Sequence, residues 1–146
     1  MFVIEEALDA TEEIVTAIGD LLPLLSTSAP RPTAAEVGEI TGSPATKLLV
    51  ARDGEDGPVV GTLTLALFRI PTGIRAWIED VIVSESVRGR GCGEALTVAA
   101  LDVARQAGAR TVDLTSRPSR QAANRLYQRL GFEARQTNLY RFDLAG

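Results

Sequence analysis

The sequence predicts a mixed α+β (mixed α/β) fold, with a central mixed sheet of about seven strands and helices on both faces. Three observations carry that expectation. Residues 48–51, 59–68 and 77–83 are rich in β-branched, aromatic or alternating apolar residues, and Gly/Pro turns separate them, as in antiparallel neighbours. The third run leads through a glycine-rich loop and a helical stretch into residues 111–115. A strand, helix, strand unit of that length makes a parallel pair with a right-handed crossover. Finally, residues 11–25, 94–107 and 119–130 repeat apolar side chains at helical spacing. The predicted order is β-α-α-β-β-β-α-β-α-β-β.

In chain order, residues 2–7 read as a short strand. A helix follows over 11–25, with Asp9 or Thr11 as N-cap, Ile14, Ile18, Leu21, Leu22 and Leu25 on one face, and Pro23 weakening its last turn. Thr33-Ala34-Ala35-Glu36 is a capping box for a second helix ending near Gly42. The three-strand meander comes next, turning at 52–58 and 71–73. Ser116-Arg117-Pro118-Ser119 caps a last helix that runs through Leu130 and stops at Gly131. Residues 132–134 and 138–144 complete the sheet as two strands.

The chemistry concentrates between Trp77 and Leu96. The strand Trp77-Ile78-Glu79-Asp80-Val81-Ile82-Val83 is apolar on both faces except for one carboxylate on each. Burying Glu79 or Asp80 in such a strand demands an explanation. Beyond it lies Arg88-Gly89-Arg90-Gly91-Cys92-Gly93, then a helix with Gly108 at its C-terminal end. Glycines let backbone turn tightly and approach a ligand, and the free N–H groups of the following helix open toward the loop. With the helix dipole and two arginines, this is an anion site suited to a phosphate or pyrophosphate. A nucleoside-triphosphate loop is excluded, because it ends in Gly-Lys-Ser/Thr and the single lysine is Lys47. A dinucleotide fingerprint fits poorly, with Leu96 where a third glycine belongs. Asp113 does stand near the position of a ribose-binding acid, so that alternative stays open.

Composition narrows the classes. At 146 residues the chain is expected to form one domain, 1–146, and to bury roughly two thirds of its unfolded surface. Its net charge of −4 argues against nucleic acid as a partner. With no histidine, Ser-His-Asp and Cys-His catalysis and histidine metal ligation are removed. The lone Cys92 permits no internal disulfide; in the loop it reads as a small side chain beside a ligand. The N-terminus lacks the regions of a signal peptide and no apolar run approaches a membrane span, so a cytoplasmic location is expected.

A second constellation is Ala123-Asn124-Arg125-Leu126-Tyr127-Gln128-Arg129-Leu130-Gly131-Phe132. Physically, Tyr127 is either a packing residue at the edge of an apolar stripe or a phenol able to donate a proton. The pattern Arg-x-x-Gly-x-Gly after Val81-Ile82-Val83, followed by Ala-x-x-Leu-Tyr-x-x-x-Gly-Phe, resembles the GNAT family of N-acetyltransferases. The similarity covers nearly the whole chain, and its specific motifs lie in residues 78–132. It implies acetyl-CoA as cosubstrate and no metal. The fourth and fifth strands would splay to admit the pantetheine arm. The main chain of Val81, Ile82 and Val83 would bond its amides, and Arg88, Gly89, Arg90, Gly91, Cys92 and Gly93 would hold the pyrophosphate. Tyr127 would protonate the departing thiolate, and Glu79, or secondarily Asp80, would take the amine proton. Arg120 departs from the family, which often carries Asn there.

The resemblance thus implies acetyl transfer to a primary amine by direct attack in a ternary complex. The acceptor would be a small-molecule or peptide amine, with no nucleic-acid or membrane partner, and a homodimer is left open. The competing reading is an acyl-CoA-binding regulatory module that has lost acetyl transfer.

Overall fold

The expected meander forms, and each of its strands is longer than its apolar run. The computed structural model describes residues 1–145; Gly146, the last residue of the expected domain, lies outside them. The chain falls into two compact units, Met1–Leu114 and Thr115–Gly146. In the first unit, β1 (Phe2–Ala7), β2 (Thr46–Asp53), β3 (Val59–Ile70) and β4 (Gly73–Val83) are antiparallel neighbours. A fifth strand, β5 (Ala109–Asp113), lies parallel to β4, giving the order β1-β2-β3-β4-β5.

Three helices belong to this unit: α1 (Glu12–Leu21), α2 (Ala34–Thr41) and α3 (Cys92–Gln106). Thr11 caps α1 through its side chain, and a single 3-10 turn at Leu22–Leu24, containing Pro23, ends it earlier than the apolar spacing implied. Thr33 and Glu36 form the reciprocal capping box of α2. These helices cover one face of the sheet, where Ile14 and Val37 join Ala7, Leu48 and Val50 in a buried cluster. α3 covers the other face at Gly61. A Cβ at Gly61 would lie 2.9 Å from Cys92 Sγ, 3.1 Å from Leu96 Cδ1 and 3.3 Å from Ile82 O. The missing side chain is what lets α3 seat on β3.

Gly61→Ala is therefore expected to lower stability in urea unfolding by about 1–3 kcal/mol, since crowding outweighs the strand preference of alanine. An unchanged midpoint would mean that α3 is not seated through this position.

The second unit contains α4 (Gln121–Arg129). Here the seven-strand expectation is corrected to five among the described residues, because neither 132–134 nor 138–144 forms a strand. Strand propensity needs a ladder partner and a surface to pack on. Residues 138–144 alternate as a strand would, but their apolar side chains lie in solvent: Leu139, Tyr140, Phe142 and Leu144 are 69–92% exposed.

Candidate active site

β4 is the strand around which the site is built, and two irregularities shape it. First, β4 pairs with β5 only from Ile74↔Ala109 to Trp77↔Asp113. Beyond Trp77, the stretch 78–83 runs on with no strand of the described residues paired to it on that flank. Backbone N–H and C=O groups of Val81, Ile82 and Val83 that face that way are left without a ladder. Second, β4 bulges. Between Thr62↔Ile82 and Thr64↔Glu79 it carries one residue more than β3, and Asp80 sits at φ 49. A bulge bends the strand and re-aims its side chains. The two carboxylates expected inside an apolar strand are consequently both exposed, while Ala76, Ile78 and Ile82 stay buried. No burial cost arises for Glu79 or Asp80.

Asp113, the alternative ribose ligand, is engaged elsewhere: Arg75 Nη2 donates to its Oδ2 at 2.7 Å across the β4–β5 pair.

β4 leaves the sheet through Ser84, whose hydroxyl caps a short 3-10 turn at Glu85–Val87, and buried Val87 anchors that turn. The glycine loop follows. Gly89 (φ 76) and Gly91 (φ 87) both adopt the left-handed conformation that other residues avoid. At each, a Cβ would meet no protein atom within 4 Å, so the loop presents bare backbone to open space. Gly91 is also the N-cap of α3 and has no side chain to cap it, so first-turn amides of Cys92 and Gly93 open toward the loop. Backbone, glycines and helix start thus suit a phosphate.

The two arginines differ. Arg88 is exposed, and its guanidinium has no partner among the described residues. Arg90 bonds Asp53 through both terminal nitrogens and lies 5.1 Å over the Phe2 ring. Neither Asp53 nor Phe2 was found from sequence; they lie far along the chain and belong to no motif. Cys92 is buried, and its thiol is pushed up to about 11, first by burial and then by the Asp53 charge, with Arg90 opposing. It is a protonated packing group at neutral pH.

In the second unit, α4 starts at Gln121 with Arg120 as N-cap and no side-chain cap bond, in place of the expected serine cap. Asn124 Nδ2 instead donates to the carbonyls of Arg117 (2.9 Å) and Arg120 (2.8 Å). The C-terminal end explains why Tyr127, Gly131 and Phe132 occur together. Gly131 takes φ 105, its N–H bonds Gln128 O (3.1 Å), and Phe132 N–H bonds Tyr127 O (2.9 Å). That is a Schellman motif, and the apolar contact that accompanies it is Phe132 edge-on to Tyr127, with centroids 5.7 Å apart. The stop signal of the helix therefore also fixes the tyrosine ring. Tyr127 is buried, and its phenol is held above its ordinary range by that burial, with the Arg120 charge opposing.

Beside α1, a groove of about 740 Å³ is lined by Glu12, Glu13, Asp20, Val59 and Glu85 among others. Two of its carboxylates are matched, Glu13 by Arg52 and Asp20 by Arg31. Among the described residues, no helix is long and apolar enough to cross a membrane, and no cluster of His, Cys, Asp or Glu could hold a metal ion.

A mixed sheet whose fourth strand leads to a glycine loop and helix start is an α/β layout with a backbone site suited to an anion. Residues 18–132 match the model of the Acetyltransferase (GNAT) family, and the chain belongs to that family. It is 37% identical over 75 residues to N-alpha-acetyltransferase 30 of Schizosaccharomyces pombe, a match covering 51% of this chain and 49% of that protein. The chain thus matches about half the length of that relative. Among solved structures, a transcriptional regulator from Bacillus halodurans has a TM-score of 0.82 and 28% identity, over 98% of this chain and all of the other. An acetyltransferase from Trypanosoma brucei has a TM-score of 0.78 and 25% identity, over 99% of this chain and all of the other.

Proposed function

We propose that this protein is an acetyl-CoA-dependent N-acetyltransferase acting on a primary amine by direct attack in a ternary complex. One observation carries the reading: the unpaired edge of β4 leads through one short 3-10 turn into a loop of left-handed glycines that ends at the start of α3. An elongated ligand with amides at one end and a pyrophosphate at the other fits both in sequence. Main-chain groups of Val81, Ile82 and Val83 would take the pantetheine amides. Arg88 and the backbone of Gly89, Arg90, Gly91, Cys92 and Gly93 would take the pyrophosphate.

Acetyl-CoA supplies an activated acetyl thioester when bound. The residues of the chain do the rest, chiefly by holding the reactants in orientation, with a proton transfer at each end. Glu79, carried into solvent by the bulge, is suited to accept the ammonium proton of the acceptor, directly or through water. Asp80, its neighbour in the bulge, is second. Tyr127 donates its phenolic proton at the departing sulfur. The acidic groove beside α1 favours a cationic acceptor, whether small molecule or peptide.

The test is acetyl transfer to an amine panel, followed by mass spectrometry. With an acceptor in hand, Glu79→Gln is expected to lower kcat/KM for the amine by about a hundredfold while CoA affinity stays near wild type. Wild-type turnover in Glu79→Gln combined with its loss in Asp80→Asn would move the base to Asp80.

The 28% identity to a protein described as a transcriptional regulator favours a second reading, an acyl-CoA-responsive module. Saturable CoA binding without turnover on any amine would support that reading over the enzyme.

A further inference from the structure

We infer that Arg90 is a positioning residue, fixing the glycine loop through Asp53 and Phe2, and that Arg88 alone supplies side-chain charge to the phosphate. This rests on the acetyl-CoA reading of the loop.

The geometry of Arg90 is committed. Its Nη1 donates to Asp53 Oδ2 and its Nη2 to Asp53 Oδ1, both at 3.2 Å, a fork-to-fork pair that occupies both terminal nitrogens. Its carbon centre lies 5.1 Å from the Phe2 ring centroid. Phe2 and Asp53 are themselves direct cross-strand partners of β1 and β2. Arg90 is thus set on one rung of the sheet, at the far edge from β5. That rung is braced, because Asp53 N–H bonds Pro58 O and Gly54 N–H bonds Met1 O, each at 3.0 Å.

The loop needs such a tether. Gly89 and Gly91 flank Arg90 in left-handed conformations, and nothing of their own could hold them there. Arg90 is the single residue between these two glycines, and its side chain ties that part of the loop to the sheet. Turning Arg90 toward a phosphate would also release the Asp53 carboxylate beside an incoming anion. Paired, the two charges cancel. Arg88 carries no such commitment among the described residues.

The pair is partly exposed, at 49% and 32%, so breaking it should leave the fold intact. The test measures CoA affinity by calorimetry in Arg90→Gln, Asp53→Asn and the charge-swapped double variant Asp53→Arg/Arg90→Asp. Each single variant is expected to bind about tenfold more weakly, a loss typical of a coupled contact. The swap should restore most of that loss, because the pair is rebuilt. If Arg90 instead contacts phosphate, the swap sets a carboxylate against pyrophosphate and affinity falls by roughly a hundredfold or more, overturning the inference. A second arm needs no ligand. Hydrogen exchange of amides 89–93 in the free protein should accelerate in Arg90→Gln and Asp53→Asn, revert in the swap, and stay at wild-type rates in Arg88→Gln. Unchanged loop exchange in Arg90→Gln would overturn the inference equally. Should wild-type protein bind no CoA, the functional reading falls, and the exchange arm alone decides the role of Arg90.

Discussion

Tyr127→Phe is expected to lower kcat by about a hundredfold or more while leaving the acetyl-CoA dissociation constant close to wild type. The two effects separate because, under the proposed function, the residue both packs and donates a proton. Its ring is held edge-on by Phe132 and by the Schellman turn at Gly131, and phenylalanine keeps that packing. Only the phenolic hydroxyl, and with it the proton, disappears. Burial holds the Tyr127 phenol above its ordinary range, and an acid works only while protonated. The alkaline decline of activity that depends on this proton is therefore displaced upward from that of an ordinary tyrosine. Phenylalanine should abolish that alkaline limb along with the rate. Full turnover in Tyr127→Phe, with chemistry shown to be rate-limiting in single-turnover experiments, would leave the tyrosine a packing residue.

Gly91→Val should weaken CoA binding by at least about tenfold while the circular dichroism of the protein stays near wild type. Gly91 holds φ 87 where α3 begins, and a β-branched residue in that region costs about 1–2 kcal/mol or pushes the loop elsewhere. Even if the conformation survives, the valine side chain enters the open space above the loop, where no protein atom lies within 4 Å of a Cβ. That space is where a pyrophosphate would approach the amides. Calorimetry showing unchanged affinity would mean that the loop does not hold the phosphates.

What the sequence disclosed were features written in consecutive residues. The capping box at Thr33 and Glu36, the turns of the meander, and the strand, loop and helix around residues 77–106 each depend on local chemistry and appear where expected. What escaped depends on partners. The bulge at Asp80 leaves no local trace, because Ile78 and Ile82 keep an even spacing and only the register against β3 reveals the extra residue. Glu79 and Asp80 accordingly read as buried and prove exposed. The alternation in 138–144 resembles that of a strand, yet no ladder forms there. Arg90 and Asp53 lie 37 residues apart, and nothing near either one announces the other.

The open flank of β4 bears on how freely this sequence can vary. Under the proposed function, the pantetheine arm is read there by main chain, and a peptide backbone offers the same donors and acceptors whatever side chains it carries. Substitutions among Val81, Ile82 and Val83 that keep a strand-forming residue should then be nearly silent toward the cosubstrate. The glycines have no such latitude, since their φ values exclude other residues. One binding site thus combines a stretch that can drift with a stretch that is fixed. A relative that had lost every identity in β4 could still hold the same ligand, so resemblance in this part of the chain should be sought in the loop.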